Sequence, residues 1–162
     1  MSKKSEPQAF YVLDADKLWA RNRIAELQKA IQDLGPEFNI ALTQSNETWH
    51  DNAPFDALRD TQAVLVAEMQ NLKQVLFKAA ISVPKPKKAK VSIGSRVSVT
   101  HKGRNQMYLL TGHWSPSVGK KQDGALVVSC GSPVGSVLFG AKVGDQVIIP
   151  TNHHSLDIIA ID

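Results

Sequence analysis

Ile24, Leu27, Ile31, Leu34 and Phe38 are spaced alternately three and four residues apart, which lines a single helix face with an apolar seam. The same spacing returns in Leu58, Gln62, Leu65, Met69, Leu72 and Leu76, with one polar member. Residues 43–51, between the stripes, are polar and have no apolar period, so the chain is expected to turn there. Two seamed helices with a short polar connection fold back on each other. Residues 1–82 are therefore expected to form an antiparallel coiled-coil hairpin with its tip near 46–52. At about 1.5 Å per residue, the arm from Ile24 to the turn would span roughly 35–40 Å. Asp14 or Asp16 suits the cap of the first helix, and Asn52 that of the second. Pro54 falls in the first turn, where its missing N–H does no harm. Gly35-Pro36 predicts a kink or a strained turn inside the first helix.

After residue 82 the pattern changes. Residues 83–90 alternate proline and lysine, a composition that favours an extended spacer. Beyond it, residues 95–100, 106–111, 125–129, 146–149 and 156–161 are short β-branched runs and read as strands. Gly103, Asp123-Gly124, Gly144-Asp145 and Asn152 supply turns, and only residues 133–140 suggest a short helix. Residues 91–162 are thus expected to form a small antiparallel sheet domain, and the whole chain an α+β protein. With 43% hydrophobic and 21% charged residues the composition is that of a soluble globular protein. No apolar run approaches the roughly 18 residues of a membrane span, and the polar first residues do not resemble a secretory signal. A cytoplasmic protein without membrane contact is expected. Cys130 is the single cysteine, which excludes an internal disulfide.

Charge is divided unevenly. Residues 1–82 hold nine Lys/Arg against eleven Asp/Glu, and residues 83–162 hold ten against four. No Lys or Arg lies between Lys29 and Arg59, where Asp33, Glu37, Glu47, Asp51 and Asp56 gather. Carboxylates collected toward the end of an arm suit a divalent cation or a basic pocket, or simply a solvated helix end. Trp49 stands in this polar turn, placed to brace the tip against Phe55 or to anchor a partner. His153-His154 is a poor chelator, since adjacent side chains on a strand point to opposite faces.

Ser129-Cys130-Gly131-Ser132-Pro133-Val134-Gly135, followed by Leu138-Phe139-Gly140 and Val143-Gly144-Asp145-Gln146-Val147, resembles the signature of the bacterial GreA/GreB family of transcript cleavage factors. Pro36-Glu37 and Asp51-Asn52-Ala53-Pro54-Phe55 look like that family's hairpin segments. The resemblance implies an FKBP-like C-terminal domain that docks on the rim of the secondary channel of bacterial RNA polymerase, with Ser132, Pro133 and Val134 as the docking residues. It implies a hairpin tip that approaches the polymerase active site. There Glu47 and Asp51 would be the assisting catalytic acids and would share a Mg²⁺ that is held only in the complex. Trp49, Asn52 and Phe55 would support the tip. The chain alone is expected to need no cofactor, to act as a monomer, and to make weak contact with nascent RNA or DNA.

The tip departs from the family pattern. Asp51 fills the place of the family glutamate, but Thr48 stands where an aspartate belongs, and a neutral hydroxyl is a poor Mg²⁺ ligand. Glu47 is one residue away. Three functions stay open on the sequence: a factor that stimulates RNA cleavage by the polymerase, a channel-binding regulator that does not cleave, and a peptidyl-prolyl isomerase-like domain on a coiled coil.

Overall fold

The computed structural model describes residues 9–44 and 53–162. Two compact units emerge: Lys17–Lys78, and the N-terminal segment through Asp16 taken together with Ala79–Asp162.

The first unit is a helical hairpin. Helix α1 spans Asp14–Gln44 and α2 spans Ala53–Lys78. The expected seams form, and both run further than the apolar residues alone suggested. Ala20, Leu27, Leu34 and Ala41 are buried at seven-residue intervals, with Ile24, Ile31 and Phe38 half-buried between them. In α2, Phe55 joins Leu58, Gln62, Leu65, Met69, Leu72 and Leu76 on the covered face. Cross-contacts show the antiparallel sense. Arg23, early in α1, holds Glu68, late in α2, through a two-pronged ion pair at 2.7 and 3.2 Å. Phe38, late in α1, meets Phe55 at the start of α2 edge-on, with ring centroids 5.3 Å apart.

Helix α1 continues through Gly35-Pro36 instead of turning there. Proline cannot donate to the carbonyl four residues back, and the seam on both sides keeps the helix going. Thr43 and Gln44 are helical as well, so the helix runs past the expected start of the turn. Pro54 lies in the first turn of α2, as expected. The cap proposed at Asn52 lies outside the described residues.

The second unit carries a six-stranded sheet in the order β3-β4-β2-β1-β6-β5. Its strands are β1 (Arg96–His101), β2 (Arg104–Thr111), β3 (Lys121–Gln122), β4 (Ala125–Ser129), β5 (Gln146–Ile148) and β6 (Ser155–Ile161), and a short helix, α3, covers Pro133–Leu138. Asp123 and Gly124, with φ of 48° and 81°, form the two-residue turn between β3 and β4. Positive φ at both positions matches the right-handed twist of the flanking strands.

The sheet is antiparallel, as expected, in every strand pair but one. β2 and β4 run parallel, with Tyr108 opposite Leu126 and Thr111 opposite Ser129. Residues 112–120 carry the chain back along the sheet, and the β3–β4 turn then reverses it, so β4 arrives in the direction of β2. The β1–β6 ladder shifts register between Ser98 and Val99.

Val97, Val99, Tyr108, Leu110, Val128, Leu156, Ile158 and Ile161 form the core together with Leu138 of α3. Full burial of each such aliphatic side chain favours folding by about 1.5–3 kcal/mol. The 83–90 segment is not a free spacer throughout. Lys87 and Lys90 form an antiparallel bridge, and Lys87 N–H donates to Ser92 Oγ at 3.2 Å. Among the described residues, no helix is long and apolar enough to cross a membrane.

Candidate functional site

Strand β4 ends at Ser129, and the chain turns through Cys130 and Gly131 into α3. Ser132 caps that helix from an extended conformation, φ −74° and ψ 161°. Its hydroxyl accepts from Gly135 N–H at 3.0 Å and donates to the Ser129 carbonyl at 2.7 Å. Pro133 follows at the first helical position, where no backbone donor is needed. Gly135 packs so closely that an added Cβ would collide with the Ser129 carbonyl. The loop is tied sideways too: Ser129 Oγ donates to the His113 carbonyl at 3.3 Å and accepts from Gly131 N–H at 3.2 Å.

The three expected docking residues therefore differ in position. Ser132 has its hydroxyl engaged and shapes the turn, Val134 packs against the core, and Pro133 is exposed. The half-buried Cys130 also packs against the core. Burial pushes its thiol up, which disfavours the thiolate a nucleophile needs.

Spacing in the sequence gave no hint of a strap formed by the N-terminal segment. Tyr11 N–H donates to His113 Nδ1 at 2.8 Å, and His113 N–H donates to the Tyr11 carbonyl at 2.7 Å. The Phe10 and Tyr11 rings both stack on the His113 imidazole, at 5.3 and 5.9 Å. Gly112 has no room for a side chain, because a Cβ there would meet the Tyr11 carbonyl. Phe10 also accepts from Ala80 N–H at 2.8 Å. Asp16, considered a cap, instead accepts from Thr111 Oγ1 at 3.2 Å and Ser115 Oγ at 3.1 Å. Burial pushes its carboxyl up, and the two hydroxyl donors oppose that shift. The only sequence cue was the apolar run Phe10-Tyr11-Val12-Leu13, which precedes the helical seam and does not belong to it.

Glu47, Trp49, Asp51 and Asn52 lie outside the described residues. Phe55 is described, and its edge contact with Phe38 braces the end of the hairpin. Next to it a groove of about 380 Å³ runs between Glu37, Ile40 and Ala41 of α1 and Pro54, Ala57 and Leu58 of α2. Asp33, Glu37 and Asp56 are exposed in this cation-free part of the hairpin. Among the described residues, no group of three His, Cys, Asp or Glu side chains could hold a metal ion. His154 stacks on His101 with ring centroids 4.5 Å apart, and His101 Nδ1 meets the Ser155 carbonyl at 2.8 Å.

A two-helix hairpin is thus followed by a small mixed sheet whose β4–α3 turn is closed by Ser132 ahead of Pro133. Residues 85–162 match the family described as transcription elongation factor, GreA/GreB, C-term. The transcription elongation factor GreA of Pelobacter propionicus is 30% identical over 84% of this chain and 82% of its own length. That of Rickettsia bellii is 27% identical over 76% of each. Among solved structures, the GreA factor homolog 1 (Gfh1) protein of Thermus thermophilus covers 96% of this chain and 99% of its own, at 18% identity and a TM-score of 0.42. The family follows from the sequence relatives. The chain belongs to the GreA/GreB family of transcription elongation factors.

Proposed function

We propose that this elongation factor binds bacterial RNA polymerase at the rim of the secondary channel, using the turn around Pro133, and inserts its acidic hairpin tip toward the active site. The observation that carries this reading is the hairpin itself. Its helices are held in register from Arg23–Glu68 to Phe38–Phe55, and no cation lies between Lys29 and Arg59. Such an arm can present carboxylates at its own far end. The factor works in the cytoplasm as a monomer, and the same lack of cations keeps its contact with the transcript weak.

The chain alone needs no cofactor. In the complex, the oxygen donors Glu47 and Asp51 suit a hard Mg²⁺ ion, whereas Thr48 adds only a neutral hydroxyl. The ion would stabilise charge on the oxygens of the scissile phosphodiester. Glu47 and Asp51 would orient it, with Trp49, Asn52 and Phe55 supporting the tip. With Thr48 in an acid's place, the chain is expected to bind the polymerase and shorten RNA poorly.

A backtracked elongation complex incubated with the protein and Mg²⁺ tests this. Binding with little shortening, and a gain of shortening in Thr48→Asp that disappears with Asp51→Asn, is the expected result. Strong shortening by the natural sequence would make it a full cleavage factor. Absence of polymerase binding would end the proposal. The isomerase reading has little to support it, because Tyr108 is the one aromatic residue lining a sheet groove of about 710 Å³, and its hydroxyl already donates to Gln106 Oε1.

A further inference from the structure

We infer that Lys85, Lys87, Lys88 and Lys90 form a cationic margin of the docking surface and meet an acidic patch on the polymerase. This rests on the docking reading above and goes beyond the turn at Pro133. From Met69 to Gln122 the chain has no Asp or Glu, yet it has eleven Lys and Arg. The four lysines sit at the start of the sheet unit, all exposed, and none is in an ion pair among the described residues.

The backbone fixes three of them in a tight turn. Lys90 N–H donates to the Lys87 carbonyl at 3.3 Å, and Lys87 N–H donates to Ser92 Oγ at 3.2 Å. The next residue fastens this turn to the chain leaving α3: Val91 N–H donates to the Ala141 carbonyl, and Gly140 N–H to the Val91 carbonyl, both at 2.8 Å. Pro133 opens α3, and the lysine turn lies against the stretch that follows α3. On that stretch Phe139 and Val143 are 52% and 56% exposed. Asp145, the carboxylate close to it, accepts from Lys142 N–H at 2.8 Å.

An exposed lysine turn, hydrogen-bonded through Val91 to a stretch that bears two exposed apolar residues, supplies the elements of a protein interface, an apolar centre and a charged rim. A phosphate backbone would use the lysines and leave Phe139 and Val143 without a counterpart. The occupant that satisfies both is a protein surface with its own apolar spot and a border of carboxylates. Lysines at such a rim set the association rate and its salt dependence more than the final affinity.

The test compares the full chain with its K85Q/K87Q/K88Q/K90Q variant in binding to purified bacterial RNA polymerase over a range of salt concentrations. Unchanged thermal unfolding would show that the exposed substitutions leave the fold intact. The variant is expected to bind about tenfold more weakly at low salt, with a shallower salt dependence, and to converge on the natural chain at high salt. Equal binding at every salt concentration, while the natural chain binds well, overturns the inference and leaves the docking reading standing. A variant that keeps its polymerase affinity but loses retention of duplex DNA or single-stranded RNA overturns it in favour of a nucleic-acid contact. If a Pro133→Glu variant also binds normally, the docking reading itself fails.

Discussion

Ser132 and Asp16 look alike in sequence, as small polar residues at helix starts, but their surroundings differ. The Ser132 hydroxyl closes the β4–α3 turn from both sides, as donor to Ser129 and acceptor from Gly135. Ser132→Ala should therefore cost about 1 kcal/mol in urea unfolding of the sheet unit. Any loss of polymerase binding should follow from the displaced turn and not from a missing contact. Asp16 carries a carboxyl raised above its ordinary value by burial. A carboxyl whose folded value lies above its unfolded value favours the fold most below the unfolded value. That contribution is lost as pH rises through the raised folded value. Asp16→Asn should flatten this acid-range slope in unfolding midpoints measured across the carboxylate titration. Ser-Pro after a strand permits a turn as well as the docking role that the resemblance implies for Ser132, whereas nothing local pointed to the role of Asp16. Its partners Thr111 and Ser115 are nearly a hundred residues away, and no local pattern links them.

At the level of elements, the hairpin was legible because a seam is a local code: seven-residue spacing specifies both the helix and the face it buries. Gln62 is the one polar side chain on the α2 seam, between Leu58 and Leu65. Replacing it with leucine should stabilise the hairpin by about 1 kcal/mol, read as a higher urea midpoint of the helical signal. A lowered midpoint would mean that the amide has a partner worth keeping. The strands were legible almost to the residue, but their pairing was not. Whether β4 lies parallel or antiparallel to β2 depends on the route of residues 112–120, and β-branched runs are silent about that. The two-residue β3 is too short to leave a pattern at all. The strap of Phe10 and Tyr11 is held mainly through backbone groups, which every residue type shares, so only the misplaced apolar run betrayed it.

For the molecule as a whole, the charge split of the sequence follows the division into hairpin and sheet, with the sheet half carrying the positive excess. Each unit has its own apolar interior, the seam in one and the sheet-and-α3 core in the other. Native-state hydrogen exchange should accordingly resolve two opening free energies, one for the amides of α1 and α2 and one for those of β1, β2 and β6. Gln62→Leu should shift only the first and Ser132→Ala only the second. A single shared value moved by both would mean that the units unfold as one.

The hydrogen bond from Ala80 to Phe10 ties the chain just before the hairpin to the chain just after it. The helices are thus a closed excursion whose two feet stand on the same clasp. Such a loop can be exchanged for another of different length or tip chemistry without redrawing the base that carries it. Substitutions within α1 and α2 would therefore leave the bond between Ala80 and Phe10 in place.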